Sequence, residues 1–117
     1  MLLRIDPGSA IPLFEQLAAS VRSDAARGVI RAGDRLPAAR DVADSLDVNV
    51  HTVLRAYQVL RDEGLVDLRR GRGAVVTDRV ASYSELGEAI PRLVATAREL
   101  GLGVSTLTAM IRQEYSS

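Results

Sequence analysis

The apolar residues change period at Gly64, from that of a helix to that of a strand, and this switch constrains the fold more than any other feature of the chain. Before it, Val53, Tyr57 and Leu60 recur at spacings of four and three, so residues 50–63 read as a helix that Gly64 stops at its C-terminal cap. After it, residues 65–69 and 74–77 read as two short strands around Arg70-Gly71-Arg72-Gly73, a β-hairpin with a basic tip.

Two more helices are expected upstream. Leu13, Leu17, Val21 and Ala25, with Phe14 and Ala18 on the same broad face, place one over residues 11–27, with Pro12 in its first turn and Gly28 just past its end. Residues 29–37 form a connector that turns at Gly33-Asp34. A short helix over residues 38–46 turns Val42, Ala43 and Leu46 inward, and Asn49 is a good N-cap for the helix that follows. Asp6-Pro7-Gly8-Ser9 reads as a turn ending a short N-terminal strand or arm. Three helices and then a basic two-stranded hairpin is the order of a winged helix-turn-helix, here expected over residues 1–79, in a chain that is mostly α with a small β-hairpin.

Residues 80–117 form a second part. Leu86, Ile90, Leu93, Val94, Ala97 and Leu100 trace one helical face, and Pro91 marks either a kink or a new helix start. Gly101-Leu102-Gly103 makes a tight turn, Ser105 can cap, and Leu107, Met110 and Ile111 line a last helix. A helical hairpin of this length cannot hold a core alone. Its apolar stripe, Leu86, Ile90, Leu93, Val94, Ala97, Leu107, Met110 and Ile111, is expected to be the seam of a homodimer. The tail is too short to enclose a drug-sized pocket of about 300 Å³ by itself, which leaves the small-molecule effector unknown and a ligand between tail and winged part open.

The composition limits the function classes. With 15 basic and 15 acidic residues the net charge is zero, so any affinity for nucleic acid has to come from where charge sits. There is no cysteine, which excludes disulfides and thiolate metal sites and fits a reducing cytoplasm. The start of the chain lacks the apolar stretch of a signal peptide, and no stretch is apolar for long enough to span a bilayer, so a soluble cytoplasmic protein without membrane contact is expected. One His, no Cys and no paired carboxylates in a recognisable setting give no support for an enzyme. Asp41 and Asp44 lie at helical spacing without a third ligand, so neither metal nor cofactor is expected.

The candidate site is a double-stranded DNA interface. The second helix of a helix-turn-helix enters the major groove by its first turn, here Asn49, Val50, His51 and Thr52. Asn49, His51 and Thr52 can hydrogen-bond bases or phosphates, and Val50 can touch a thymine methyl. Asn49 can equally serve only as a cap. Arg55, one turn on, can reach a phosphate or a guanine. Arg40, near the start of the preceding helix, can meet a phosphate or pair with Asp41 or Asp44. At the wing, Arg70 and Arg72 flank Gly71, beside Arg69 and Gly73, and can carry charge to the flanking minor groove. The alternative from another class is a winged-helix module that binds protein without DNA; the neutral charge favours it, and the basic wing and polar helix start oppose it.

Five segments also resemble a known family. Pro12-Leu13-Phe14-Glu15-Gln16-Leu17, residues 36–43 (Leu-Pro-Ala-Ala-Arg-Asp-Val-Ala), residues 48–57 (Val-Asn-Val-His-Thr-Val-Leu-Arg-Ala-Tyr), Glu63-Gly64-Leu65-Val66 and Arg70-Gly71-Arg72-Gly73 are similar, in order and spacing, to the DNA-binding domain of GntR-type repressors. The Asn-x-x-Thr-Val-x-Arg-Ala-Tyr run and the short tail resemble the YtrA-like branch. That resemblance implies dimerisation through the tail and, as is frequent in the branch, control of a membrane-transporter operon; a dimer is expected to read two half-sites about one helical turn apart, a pseudo-palindromic operator. The resemblance also implies DNA contact at Arg40, Thr52 and Gly71. The chain departs from the pattern at Ala38, where a capping Ser is common, at Val50, where Arg is common, and at His51, where Asn is frequent in the branch.

Overall fold

A computed structural model describes residues 3–117, in the order α1 (Leu13–Ala26), α2 (Ala39–Leu46), α3 (Val50–Asp62), β1 (Val66–Arg69), β2 (Gly73–Val76), α4 (Val80–Glu99) and α5 (Val104–Tyr115). Leu17, Ala18, Val21 and Ala25 of α1 and Val53, Ala56, Tyr57 and Leu60 of α3 face each other across the core, with Val42 and Ala43 of α2 closing one side. Leu65, Val66 and Val76 seal the base of the hairpin against the end of α3. The part of the expected N-terminal arm formed by Met1 and Leu2 lies outside the described residues. The rest forms no strand: Leu3 is buried in the core, and the Arg4 amide donates to Ser20 Oγ at 3.3 Å.

The ends of the helices follow local chemistry. Pro12 stands just before α1 in an extended conformation (φ −54°, ψ 143°), one position earlier than the first turn expected for it. Ala38 stands at the N-cap of α2 and supplies no side-chain cap. It ends where Asp47 takes a left-handed conformation (φ 55°) and the Val48 amide donates back to the Ala43 carbonyl at 3.0 Å. Gly64 (φ +83°) ends α3 as its place in the sequence predicts.

The wing is larger than two strands. β1 and β2 pair antiparallel from Val66↔Val76 to Arg69↔Gly73. The connector then lies along the other edge of β2: the Gly33 amide donates to Val76 O, the Val76 amide to Asp34 O (both 2.8 Å), and the Leu36 amide to Ala74 O (2.9 Å). Residues expected only to link two helices thus cover an edge that would otherwise stay open.

The tail begins as part of the winged unit. Val80 is in the core and Tyr83 packs on it. Gly87 lies so close to α1 that a Cβ there would overlap the Ala26 carbonyl. Helix α4 runs through Pro91 without restarting. After Gly101-Leu102-Gly103 the chain turns back, and α5 starts from Gly103 with no side-chain cap; Ser105 falls inside its first turn and does not cap it. Among the described residues α5 buries none of its side chains.

Candidate DNA interface

Three exposed features converge on one slot: the outer face of α3, the start of α2 and the wing. Asn49 caps α3 by accepting the His51 amide at Oδ1 (2.8 Å), which ties the first turn down while leaving the His51 side chain exposed. Thr52 is half-buried, and Val50 is half-buried against the core, so little of its side chain remains for a base. Arg55 is exposed, but its guanidinium lies 3.8 Å above the Phe14 ring centre, drawn toward α1 by a cation–π contact. It does not line the slot on the wing side.

Arg40 sits exposed in the first turn of α2 and pairs with neither Asp41 nor Asp44; among the described residues its side chain has no ion pair or hydrogen bond. The same holds for the side chains of Arg70 and Arg72 at the wing tip, whereas Arg69 is tied to Asp67 at 3.3 Å. The tip is a turn closed by the Arg72 amide on the Arg69 carbonyl (3.1 Å), with Gly71 at φ +79°, a conformation that costs glycine little. Unsatisfied guanidinium groups on an exposed tip are what a phosphate backbone can use.

The slot between α3 and the wing has a volume of about 530 Å³. Its floor is apolar (Leu54, Leu68, Pro37), and Arg35, Arg70 and Arg72 stand at its rim. Arg35, which the sequence reading passed over, donates from Nε to the Arg72 carbonyl at 2.9 Å and braces the wing tip. Leu54 and Gln58 were missed as well. Their signal was available, since with His51 they follow at spacings of three and four on the side opposite Val53, Ala56 and Leu60. Below the slot, the Tyr57 hydroxyl donates to Pro37 O at 2.6 Å, fixing α3 to the connector, and burial pushes this phenol up to about 12.

Behind α3, Glu63 gathers three helices. Arg22 of α1 donates to both its carboxylate oxygens (Nε–Oε1 2.9 Å, Nη2–Oε2 2.8 Å), and Tyr83 of α4 donates to Oε1 at 2.7 Å. The hydrogen bonds and charge of Arg22 hold Glu63 below its usual range despite partial burial. Burial and the neighbouring carboxylate push Tyr83 up to about 12.

The model of bacterial regulatory proteins of the gntR family matches residues 13–76, from the start of α1 to the end of the wing. The chain belongs to the GntR family. It is a transcription regulator with a DNA-binding winged helix-turn-helix, and its relatives are regulators, not enzymes. It is 27% identical to the HTH-type transcriptional repressor YtrA of Bacillus subtilis, over 96% of this chain and 91% of that protein. It is 35% identical to the HTH-type transcriptional regulator Rv1152 of Mycobacterium tuberculosis, over 86% of this chain and 83% of that one. Among solved structures, the GntR-family factor YtrA from Sulfolobus acidocaldarius aligns with a TM-score of 0.62 and 35% identity, over 81% of this chain and 99% of that one. A GntR-family regulator from Listeria monocytogenes shares the fold, tail included, with a TM-score of 0.64 over 93% of this chain and 98% of that one. Among the described residues, no helix of this GntR chain is long and apolar enough to cross a membrane.

The tail residues divide. Leu86, Ile90, Leu93, Met110 and Ile111 are exposed, and Val94 and Leu107 are half-buried. Ala97 is 5% exposed, so it is already covered within the chain and is not available to a seam. Across an open gap of about 700 Å³, Ile111 and Tyr115 of α5 face Leu86, Ile90 and Leu93 of α4.

Proposed function

We propose that the chain is a cytoplasmic repressor that acts as a homodimer on a pseudo-palindromic operator. Residues 1–79 hold the DNA and residues 80–117 pair the two copies. Helix α3 enters the major groove by Asn49, His51 and Thr52, with Arg40 on the backbone and Arg70, Gly71 and Arg72 against the flanking minor groove. The observation that carries dimerisation is the unfilled gap between α4 and α5, whose apolar walls a second copy would cover. Two half-sites about one helical turn apart would then be read together. A transporter operon is the target class the YtrA-like resemblance suggests, and selection of bound genomic fragments tests it.

The experiment is a retardation assay against salt, paired with sedimentation. Three unpaired arginines per protomer would neutralise roughly six phosphates per dimer, so log affinity should fall with log salt at a slope of about −5. Ile90→Glu with Leu93→Glu should yield a folded monomer that loses tight operator binding. Salt-independent binding, or a monomeric wild type with full affinity, overturns the proposal. Absence of any retarded duplex at low salt would favour the protein-binding alternative, which the net charge of zero makes worth testing.

A further inference from the structure

Leu54 is the one large apolar side chain of α3 that the structure leaves exposed, at 40%. It sits one turn past His51, on the flank of the helix that turns toward the wing, and forms the floor of the slot with Leu68. From its place in the first turn Val50 can touch a thymine methyl, but it is half-buried against the core. A single exposed leucine is ordinary on a protein surface, but Leu68 beside it is exposed to the same degree. Leu54 shares an apolar floor with Leu68 and Pro37, beside Arg35, Arg70 and Arg72, on the face that the proposed docking turns to DNA.

We infer that Leu54 is a specificity-determining residue that reads the 5-methyl group of a thymine in the strand passing between α3 and the wing. The inference rests on the docking proposed above. With α3 in the major groove and the wing against the next minor groove, the intervening sugar–phosphate strand crosses the slot. The methyl group of thymine is the apolar mark in the major groove, and hydrogen-bonding side chains cannot read it. It lies toward the backbone of its own strand, so a side chain on the wing-side flank of α3 meets it before the centre of the base pair. Arg70 and Arg72, holding the adjacent phosphates, close the slot over the contact and remove both apolar groups from water.

The test uses the full chain and an operator recovered by selection from a random duplex pool. Each thymine is replaced in turn by deoxyuridine, which removes only the methyl, and binding is read by fluorescence anisotropy. Wild type should lose about threefold in affinity at one thymine per half-site, and about tenfold with both half-sites substituted. Leu54→Ala and Leu54→Gln should bind the thymine and deoxyuridine duplexes equally, with wild-type circular dichroism. Leu54→Met, which keeps an apolar tip, should still discriminate, as should Val50→Ala whatever its overall affinity. Wild-type indifference at every thymine, or discrimination that survives in both Leu54→Ala and Leu54→Gln, overturns the inference while the docking stands. Failure of wild type to bind any duplex overturns the docking and the inference together.

Discussion

The Tyr83 hydroxyl donates to Glu63 Oε1 at 2.7 Å and so ties the tail helix to the C-terminal end of the recognition helix. Glu63 is at the same time held by Arg22 from α1. One carboxylate therefore joins α1, the end of α3 and α4. Tyr83→Phe removes one hydrogen bond to a partly exposed charge and should lower the unfolding free energy by about 1 kcal/mol. Urea denaturation reads this as a lower midpoint at unchanged slope.

The same carboxylate predicts an acid limb. Arg22 depresses Glu63 in the folded state. The stabilisation is therefore present above the ordinary carboxylate range and is lost as pH falls through the folded value. As pH falls below the ordinary carboxylate range, wild type should lose stability more steeply than Glu63→Gln, which cannot titrate there. Parallel curves in denaturant titrations across that window would contradict the assignment.

Capping and DNA contact at Asn49 can be separated by charge. Asn49→Ala loses the acceptor for the His51 amide and should cost about 1 kcal/mol of stability. Asn49→Asp keeps that acceptor, and its charge suits the helix N-terminus, so stability should stay within a few tenths of a kcal/mol of wild type. A carboxylate facing phosphates should nonetheless weaken operator binding, most at low salt. Thermal unfolding and anisotropy on the same two variants distinguish the roles; an Asp variant with undiminished affinity would leave Asn49 a cap only.

The three helices, the cap at Asn49, the stop at Gly64 and the basic hairpin were legible because each is written in neighbouring residues. Helical spacing brought Val53, Tyr57 and Leu60 to one face, and the backbone obeys it. Contacts distant in the chain leave no periodic trace. Arg22 and Glu63 are 41 positions apart and Glu63 and Tyr83 are 20 apart, and nothing local pairs them. The connector edge on β2 was hidden for the same reason, since its hydrogen bonds depend on where β2 folds back. At the DNA face the sequence located the first turn of α3 but not the split between Val50, turned inward, and Leu54, turned out. Pro91 stayed ambiguous because a proline removes one helical hydrogen bond without saying whether tertiary contacts hold the helix together. Here α4 is anchored on α1 one turn earlier, at Gly87.

That anchor gives the sharpest stability prediction. Gly87 lies inside α4 at the place where a Cβ would meet the backbone carbonyl of Ala26, and a carbonyl oxygen cannot swing aside as a side chain can. Elsewhere in a helix Gly→Ala is favourable by about 1 kcal/mol. At this position the sign should reverse. Gly87→Ala should force α4 off α1, strain the packing of Tyr83 and Val80, and cost roughly 1–3 kcal/mol net. Ala89→Gly, two residues along on an exposed face of the same helix, should cost only the propensity difference of about 1 kcal/mol. If Gly87→Ala proved as stable as wild type in urea, the close approach of α4 to α1, and the rigid link from tail to recognition helix built on it, would have to be abandoned.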